Sequence, residues 1–287
     1  MGCQGRGKIV GVSSSRNAAP FRMYSRKDRF VSLAEIVREI HLDGSAVPRM
    51  EIAGWRERFG VVAGITTRGT ASLPFDLGLT SDRPVGQVLG QWAAFRAAEP
   101  GFPLIVLGRQ VHGTETKWHE GGQGWLQLDG IDGHATSAHG VLLTVTVADC
   151  TPVYLLDPVH RAVALLHAGW RGASSRILER GVRMLTGRAG SLPNDLVMHC
   201  GVAICGPCYE VGSEVFDAFG LPIPTGGTGP LDVRDQLLRQ GEELGIGRVT
   251  VSSWCSGHDH TLFHSHRRSR GVDGRMVAYL GMPLPTP

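Results

Sequence analysis

No stretch of this 287-residue chain approaches the ~18 consecutive apolar residues of a membrane span. The N-terminal MGCQGRGKIVGVSSSRN has no apolar run long enough for the core of a secretory signal. It also lacks the Ser or Thr that myristoylation wants, because Arg6 stands in that place. Cysteine is scarce and irregularly spaced: six residues are too few for a disulfide scaffold. Net charge is small, +3, and the arginines never gather into a basic block with interleaved aromatics, so the footprint of a nucleic-acid binder is missing. Together these absences predict a reduced, cytoplasmic protein that partners neither membrane nor nucleic acid; its oligomeric state is left open, with a monomer expected.

Glycine, in contrast, is abundant: 40 residues, about twice the usual share. No triplet period runs through them, so they mark tight turns and close backbone approaches. Residues 1–49 differ from the rest in being rich in Arg, Ser and Lys. Within them only Leu33 to Ile40 has amphipathic spacing, which reads as a short helix. Asp43-Gly44-Ser45 and Pro48 then punctuate the chain. The expected organisation is an extension over 1–49, either peripheral and dispensable or upstream sequence from a mis-assigned start, followed by a catalytic domain over 50–287.

From Gly60 onward strand and helix patterns alternate. Val61 to Thr67, Leu104 to Leu107, Val141 to Val147, Leu196 to Ala203 and Arg248 to Val251 read as strands. Pro152 to Leu156 and Ala162 to Leu166, joined through Asp157-Pro158, read as a hairpin. Val85 to Ala98, Ser174 to Leu185 and Asp232 to Leu244 read as helices. Strand pairs mixed with helices predict an α+β fold, a single domain of mixed β-sheets packed with helices.

Three chemically useful residues stand at the ends of these apolar runs. His112 lies in Gln110-Val111-His112-Gly113, Cys150 in Ala148-Asp149-Cys150-Thr151-Pro152, and His167 opens His167-Ala168-Gly169-Trp170-Arg171-Gly172. Strand ends share an edge, where sites sit on rigid supports. Two imidazoles and a thiolate suit zinc and leave one coordination position open. Without metal the same trio offers a thiolate beside an imidazole base. Each residue alone reads equally well as a buried, backbone-satisfied side chain. Arg171, at a predicted helix start, fits a phosphate site or a surface ion pair.

Two further motifs are less telling. Cys205-Gly206-Pro207-Cys208 has the dithiol frame of thioredoxins, but no tryptophan precedes it and the surrounding pattern is not that fold, so it is expected to be redox-inert. His258, His260, His264 and His266 invite a metal reading, yet their spacing and charged neighbours fit a surface segment as well.

Taken jointly and in order, the blocks around His112, Cys150 and His167, then Gly206-Pro207-Cys208-Tyr209-Glu210-Val211-Gly212, Phe263, Arg267-Arg268 and Gly274-Arg275-Met276 resemble the YfiH/laccase-domain family over about residues 58–281. Members were once labelled polyphenol oxidases and are now regarded as purine nucleoside phosphorylases. The resemblance implies a YfiH-like domain that acts with phosphate on adenosine, inosine, guanosine and methylthioadenosine, and that also deaminates adenosine. It implies a zinc site (copper is the alternative) at His112, Cys150 and His167, and phosphate contacts from Arg68 and Arg171. The chain departs from the family at Asp76, where an asparagine is usual, and residues 1–49 have no counterpart. Other readings are a copper-dependent phenol oxidase, for which paired His-x-His motifs are too few, and a non-catalytic metal-binding module.

Overall fold

The computed structural model describes residues 34–70, 73–80 and 83–285. The chain opens with β1 (Glu35–Val37), β2 (Glu39–His41) and β3 (Arg49–Ile52), a short helix α1 (Trp55–Phe59) and β4 (Val62–Thr66). Helix α2 (Val85–Ala97) leads to β5 (Leu104–Arg109), β6 (Thr116–His119), β7 (Gly124–Asp129), β8 (Gly133–Thr136) and β9 (Val141–Val147). The hairpin β10 (Thr151–Asp157) and β11 (Ala162–Ala168) runs into α3 (Trp170–Ser174) and α4 (Ile177–Ala189). Then come β12 (Val197–Cys200), β13 (Glu210–Gly212), α5 (Ser213–Ala218), β14 (Thr228–Pro230), α6 (Val233–Glu243), β15 (Arg248–Ser252), α7 (His266–Ser269) and β16 (Met276–Met282). No helix among the described residues is long and apolar enough to cross a membrane.

Two seven-stranded mixed sheets carry the fold. One has the order β1-β15-β12-β10-β11-β8-β6 and the other β2-β3-β4-β16-β9-β5-β7; β13 and β14 form a separate pair. Side chains alternate across a strand, and the alternation divides the core into layers. Tyr154, Leu156, Val163 and Leu165 of the first sheet pack with Ile65, Val106, Leu143, Val145 and Leu280 of the second. On the outer face of the first sheet, Val153, Leu155, Ala164 and Leu166 pack against α4 and α6 through Ile177, Leu178, Val182, Leu237 and Leu238. On the outer face of the second, Ile105, Leu107, Leu142 and Tyr279 meet Val88, Trp92 and Phe95 of α2. The result is four layers, helix–sheet–sheet–helix. Central strands covered on both faces explain why β9, β10 and β11 read as unbroken apolar runs.

Three expectations change. Leu33 to Ile40 is not a helix over its described part: β1 pairs with β15 and β2 with β3. Its periodicity misled because Ile36 and Ile40 are exposed while Glu39 is 2% exposed. The Glu39 carboxylate takes the Ser252 hydroxyl at 2.6 Å and faces His199 Nε2 at 3.1 Å, and its carbonyl accepts from the Trp254 indole at 3.2 Å. The described part of the expected extension thus supplies strands to both sheets, β1 to one and β2, beside β3, to the other; residues 1–33 lie outside the described residues. Third, the helix read from Ser174 is two helices, α3 and α4, broken at Arg176, whose φ of 67° is left-handed.

Candidate metal centre and its cavity

β5 and β9 run parallel, and the loop after each emerges at one end of the second sheet. β10 and β11 are antiparallel, with Pro152 paired to His167, so the start of β10 and the end of β11 meet at one end of the first. His112 follows β5, Cys150 lies in the link from β9 to β10, and His167 is in the last turn of β11. The structure brings them together: their ligating atoms all lie within 4.8 Å of one another, and the two imidazole centroids are 4.9 Å apart.

A residue that the sequence reading missed organises this trio. Asp132, fully buried before β8, accepts the His112 N–H at 3.0 Å on Oδ1 and the Val111 and Gly113 N–H groups at 3.1 and 2.8 Å on Oδ2. The same Oδ1 holds His167 Nδ1 at 2.8 Å, which leaves Nε2 as the ligating nitrogen. His112 is held at φ 61°, a conformation that non-glycine residues seldom adopt, and Asp149 at 88°. Gln110 fixes the turn from the other side: its amide carbonyl accepts the Thr146 N–H at 2.7 Å and its NH2 donates to the Thr146 carbonyl at 2.8 Å. Gly169 keeps the trio close, because a Cβ would lie 3.0 Å from the His112 ring and 3.1 Å from the Cys150 sulfur and would push them apart.

Burial pushes the Cys150 thiol up, but the His167 charge and hydrogen bonds from both histidines outweigh it and bring it down to about 6. Burial pushes His167 down, and the Cys150 thiolate together with Asp132 raises it to about 9. Two imidazoles and a thiolate, converging from three chain segments with one side open, match the donor chemistry of a three-ligand zinc site. The open side faces a cavity of about 510 Å³ lined by Trp170, Tyr209, His266 and the arginines 109, 171, 267 and 275.

Arg171 lines this cavity, its guanidinium 4.3 Å above the Trp170 ring. Arg68 does not: its guanidinium donates to the His260 carbonyl at 3.1 Å. Arg267 lines the cavity, its guanidinium 4.8 Å from the centre of the Tyr209 ring. Arg109 pairs with Asp129 at 2.8 Å. Asp76, the departure from the family, is a buried tie: it accepts from Gly78 N at 2.8 Å and Arg275 N at 2.7 Å and pairs with Arg83 at 3.1 Å, a charge pairing that asparagine would lose. The four histidines of 258–266 do not converge. His264 is bonded to Asp273 and to the Phe75 carbonyl, His266 lines the cavity, and His258 lies against Cys205 and Cys208.

A family model described as multi-copper polyphenol oxidoreductase laccase matches residues 60–283. The chain belongs to this family. Purine nucleoside phosphorylase YlmD of Geobacillus stearothermophilus is 34% identical over 256 residues, 77% of this chain and 90% of that protein. A protein named adenosine deaminase RL5, from an unknown prokaryotic organism, is 32% identical over 160 residues, 52% of this chain and 60% of its own length. The crystal structure of the Geobacillus stearothermophilus YlmD superposes with a TM-score of 0.75 at 28% identity, covering 86% of this chain and all of that one. The fold is thus that of the YfiH and YlmD structures, as the sequence blocks implied.

Proposed function

We propose that the chain is a purine nucleoside phosphorylase, with adenosine deamination as a second reaction of the same site, and that His112, Cys150 and His167 hold one zinc ion there. The observation that carries this reading is the meeting of three soft donors with a cavity whose wall bears guanidinium groups and aromatic faces. Its size suits a nucleoside together with phosphate. The names of the relatives point the same way.

In phosphorolysis, inorganic phosphate attacks the anomeric carbon, the N-glycosidic bond breaks, and the base leaves with its electron pair. Positive charge grows on the sugar, so catalysis is mostly placement and charge stabilisation. Arg171 and Arg267 are the cations suited to grip phosphate. Arg171 lies over the Trp170 ring and Arg267 over the Tyr209 ring, where Arg267 also donates to the Glu210 carbonyl. Trp170 and Tyr209 offer flat faces for the purine. A zinc ion on the three ligands would supply Lewis acidity at its open position, the chemistry that deamination by water needs. Asp132 holds His167 in the tautomer that ligation requires.

The test is inosine with and without phosphate. Hypoxanthine and ribose 1-phosphate should form only with phosphate, while adenosine is deaminated in either buffer. Arg171→Ala or Arg267→Ala should depress phosphorolysis far more than deamination. Base release at an unchanged rate without phosphate would make the protein a hydrolase. Phenol oxidation by copper-loaded protein that turns over no nucleoside would overturn the reading altogether.

A further inference from the structure

A second cluster stands outside the cavity, and no step of the proposed reaction uses it. It joins Cys205-x-x-Cys208, in the turn before β13, to Cys255-x-x-His258, in the loop after β15. Read separately in the sequence, as a dithiol motif and as part of a histidine-rich segment, the two halves conceal their common spacing: two ligand pairs, each separated by two residues, as in zinc-binding loops.

We propose that Cys205, Cys208, Cys255 and His258 hold a second metal ion, a structural zinc in a closed four-ligand site. The three sulfurs and the imidazole nitrogen all lie within 4.8 Å of one another. Tetrahedral zinc with ordinary bond lengths separates a thiolate from an imidazole nitrogen by about 3.6 Å. His258 Nδ1 lies 3.7 Å from the Cys205 sulfur and 3.6 Å from that of Cys208. The cysteines are not joined as disulfides.

The surroundings are those of a metal loop. The Cys205 N–H donates to the Cys255 sulfur at 3.3 Å, and the Gly257 and His258 N–H groups are directed at the same sulfur. The Cys208 N–H donates to the Cys205 carbonyl at 3.0 Å and closes the first loop. His258 turns its other nitrogen to Asp259 Oδ2 at 3.5 Å, and that oxygen also accepts the Cys255 N–H at 2.9 Å. A carboxylate behind a histidine orients it for ligation. A Cβ on Gly257 would lie 3.0 Å from that of Cys208, so the second loop closes on the first only with glycine there. Three thiolates around a dication leave one negative charge; the buried Arg234 guanidinium, paired with Asp232 at 2.9 Å, lies close enough to interact with Cys205 and Cys255 as well. Each ligating thiol gives its proton to solvent as the ion enters.

Four protein ligands leave no position for substrate, so this ion would hold and not react. What it would hold is one wall of the cavity. Ile204 N–H donates to the Asp149 carbonyl at 3.0 Å, and the Ser256 hydroxyl donates to the Asp149 carboxylate at 2.6 Å. Both ligand loops therefore brace the residue before Cys150.

Metal analysis of the purified full chain tests this independently of the nucleoside reaction. The triple variant His112→Ala/Cys150→Ala/His167→Ala should retain about one zinc per chain, and Cys208→Ser/His258→Asn should lose one equivalent relative to the parent. Both altered positions of the second variant are at least partly exposed, which favours folding. Cobalt loaded into the triple variant should give intense thiolate-to-cobalt charge-transfer absorption. No zinc in the triple variant, an unchanged content in Cys208→Ser/His258→Asn, or a disulfide among Cys205, Cys208 and Cys255 in protein purified with its metal would each overturn the proposal.

Discussion

Replacing Asp132 with Asn changes one atom and should break the metal centre. The carboxylate accepts four donors, two on each oxygen. An amide has one accepting oxygen and one NH2. If the NH2 takes the Oδ2 place, it faces the N–H groups of Val111 and Gly113. If it takes the Oδ1 place, it faces the N–H of His112 and drives His167 to the tautomer with hydrogen on Nε2, which cannot ligate. The first arrangement strands two donors and the second strands one, in a site closed to water. A buried unsatisfied polar group costs ~1–3 kcal/mol, so the variant should lose ~1–6 kcal/mol of stability. At its upper end that is a large part of the ~5–15 kcal/mol typical of a folded domain. Loss of such a supporting partner also weakens metal binding ~10–100-fold. Urea unfolding and zinc competition against a chromophoric chelator measure the two effects separately. Stability within ~0.5 kcal/mol of the parent, the range of an ordinary surface substitution, together with unchanged zinc affinity, would refute the assignment of Asp132.

Other outcomes follow from neighbouring features. Gly169→Ala should fold but bind zinc at the first site much more weakly, because its methyl would crowd His112 and Cys150; parental zinc affinity would contradict this. A chain starting at Met50 should be insoluble or melt ~10 °C or more lower, since it strands His199, Ser252 and Trp254 without Glu39; an unchanged melting point would show those bonds to be idle. Burial, helped by Lys117, lowers His119 to about 4, and burial, helped by His119, lowers His134 to about 3. Their contribution is complete above the unfolded value near 6.5 and is lost as pH falls toward those folded values. Asp235, raised to about 6 by burial and then by Asp232, works the other way, its contribution fading as pH rises through 6. For these three groups together the net is about one proton taken up on unfolding between pH 4 and 6, or ~1.4 kcal/mol lost per pH unit on acidification, which Glu99, raised by burial, opposes. Unfolding of chelator-treated protein should show this slope, and His119→Gln should flatten it; equal slopes would count against the buried pair.

The central strands and the trio were legible because local and global demands agree there. β9, β10 and β11 are β-branched or apolar throughout and are covered on both faces, and the ligands stand where such runs stop. Asp132 was not legible: one carboxylate between glycines looks like turn chemistry until the fold sets it opposite His167, 35 residues away in the chain. Leu33 to Ile40 failed for the opposite reason. Its spacing satisfies a helix, but β1 pairs with β15, far along the chain, and β2 with the following β3, and such pairing overrides local preference. Arg68 was chosen by its position in a motif, which says nothing of where a guanidinium ends up. The spacing of Cys205, Cys208, Cys255 and His258 was present all along, divided by the chain between the two loops.

The two sheets end in a shared seam, and the three proposed ligands are drawn from both sides of it. His112 belongs to one sheet, His167 to the other, and Cys150 to the bridge that crosses between them. Metal sites tolerate errors of only ~0.2 Å in ligand distance, so the trio acts as a gauge of how the two sheets are aligned. A substitution deep between them, such as Tyr154→Phe, which frees the Gly64 carbonyl from its 2.8 Å bond, touches no ligand. If it lets one sheet slide against the other, zinc affinity should register the slip before the melting temperature does.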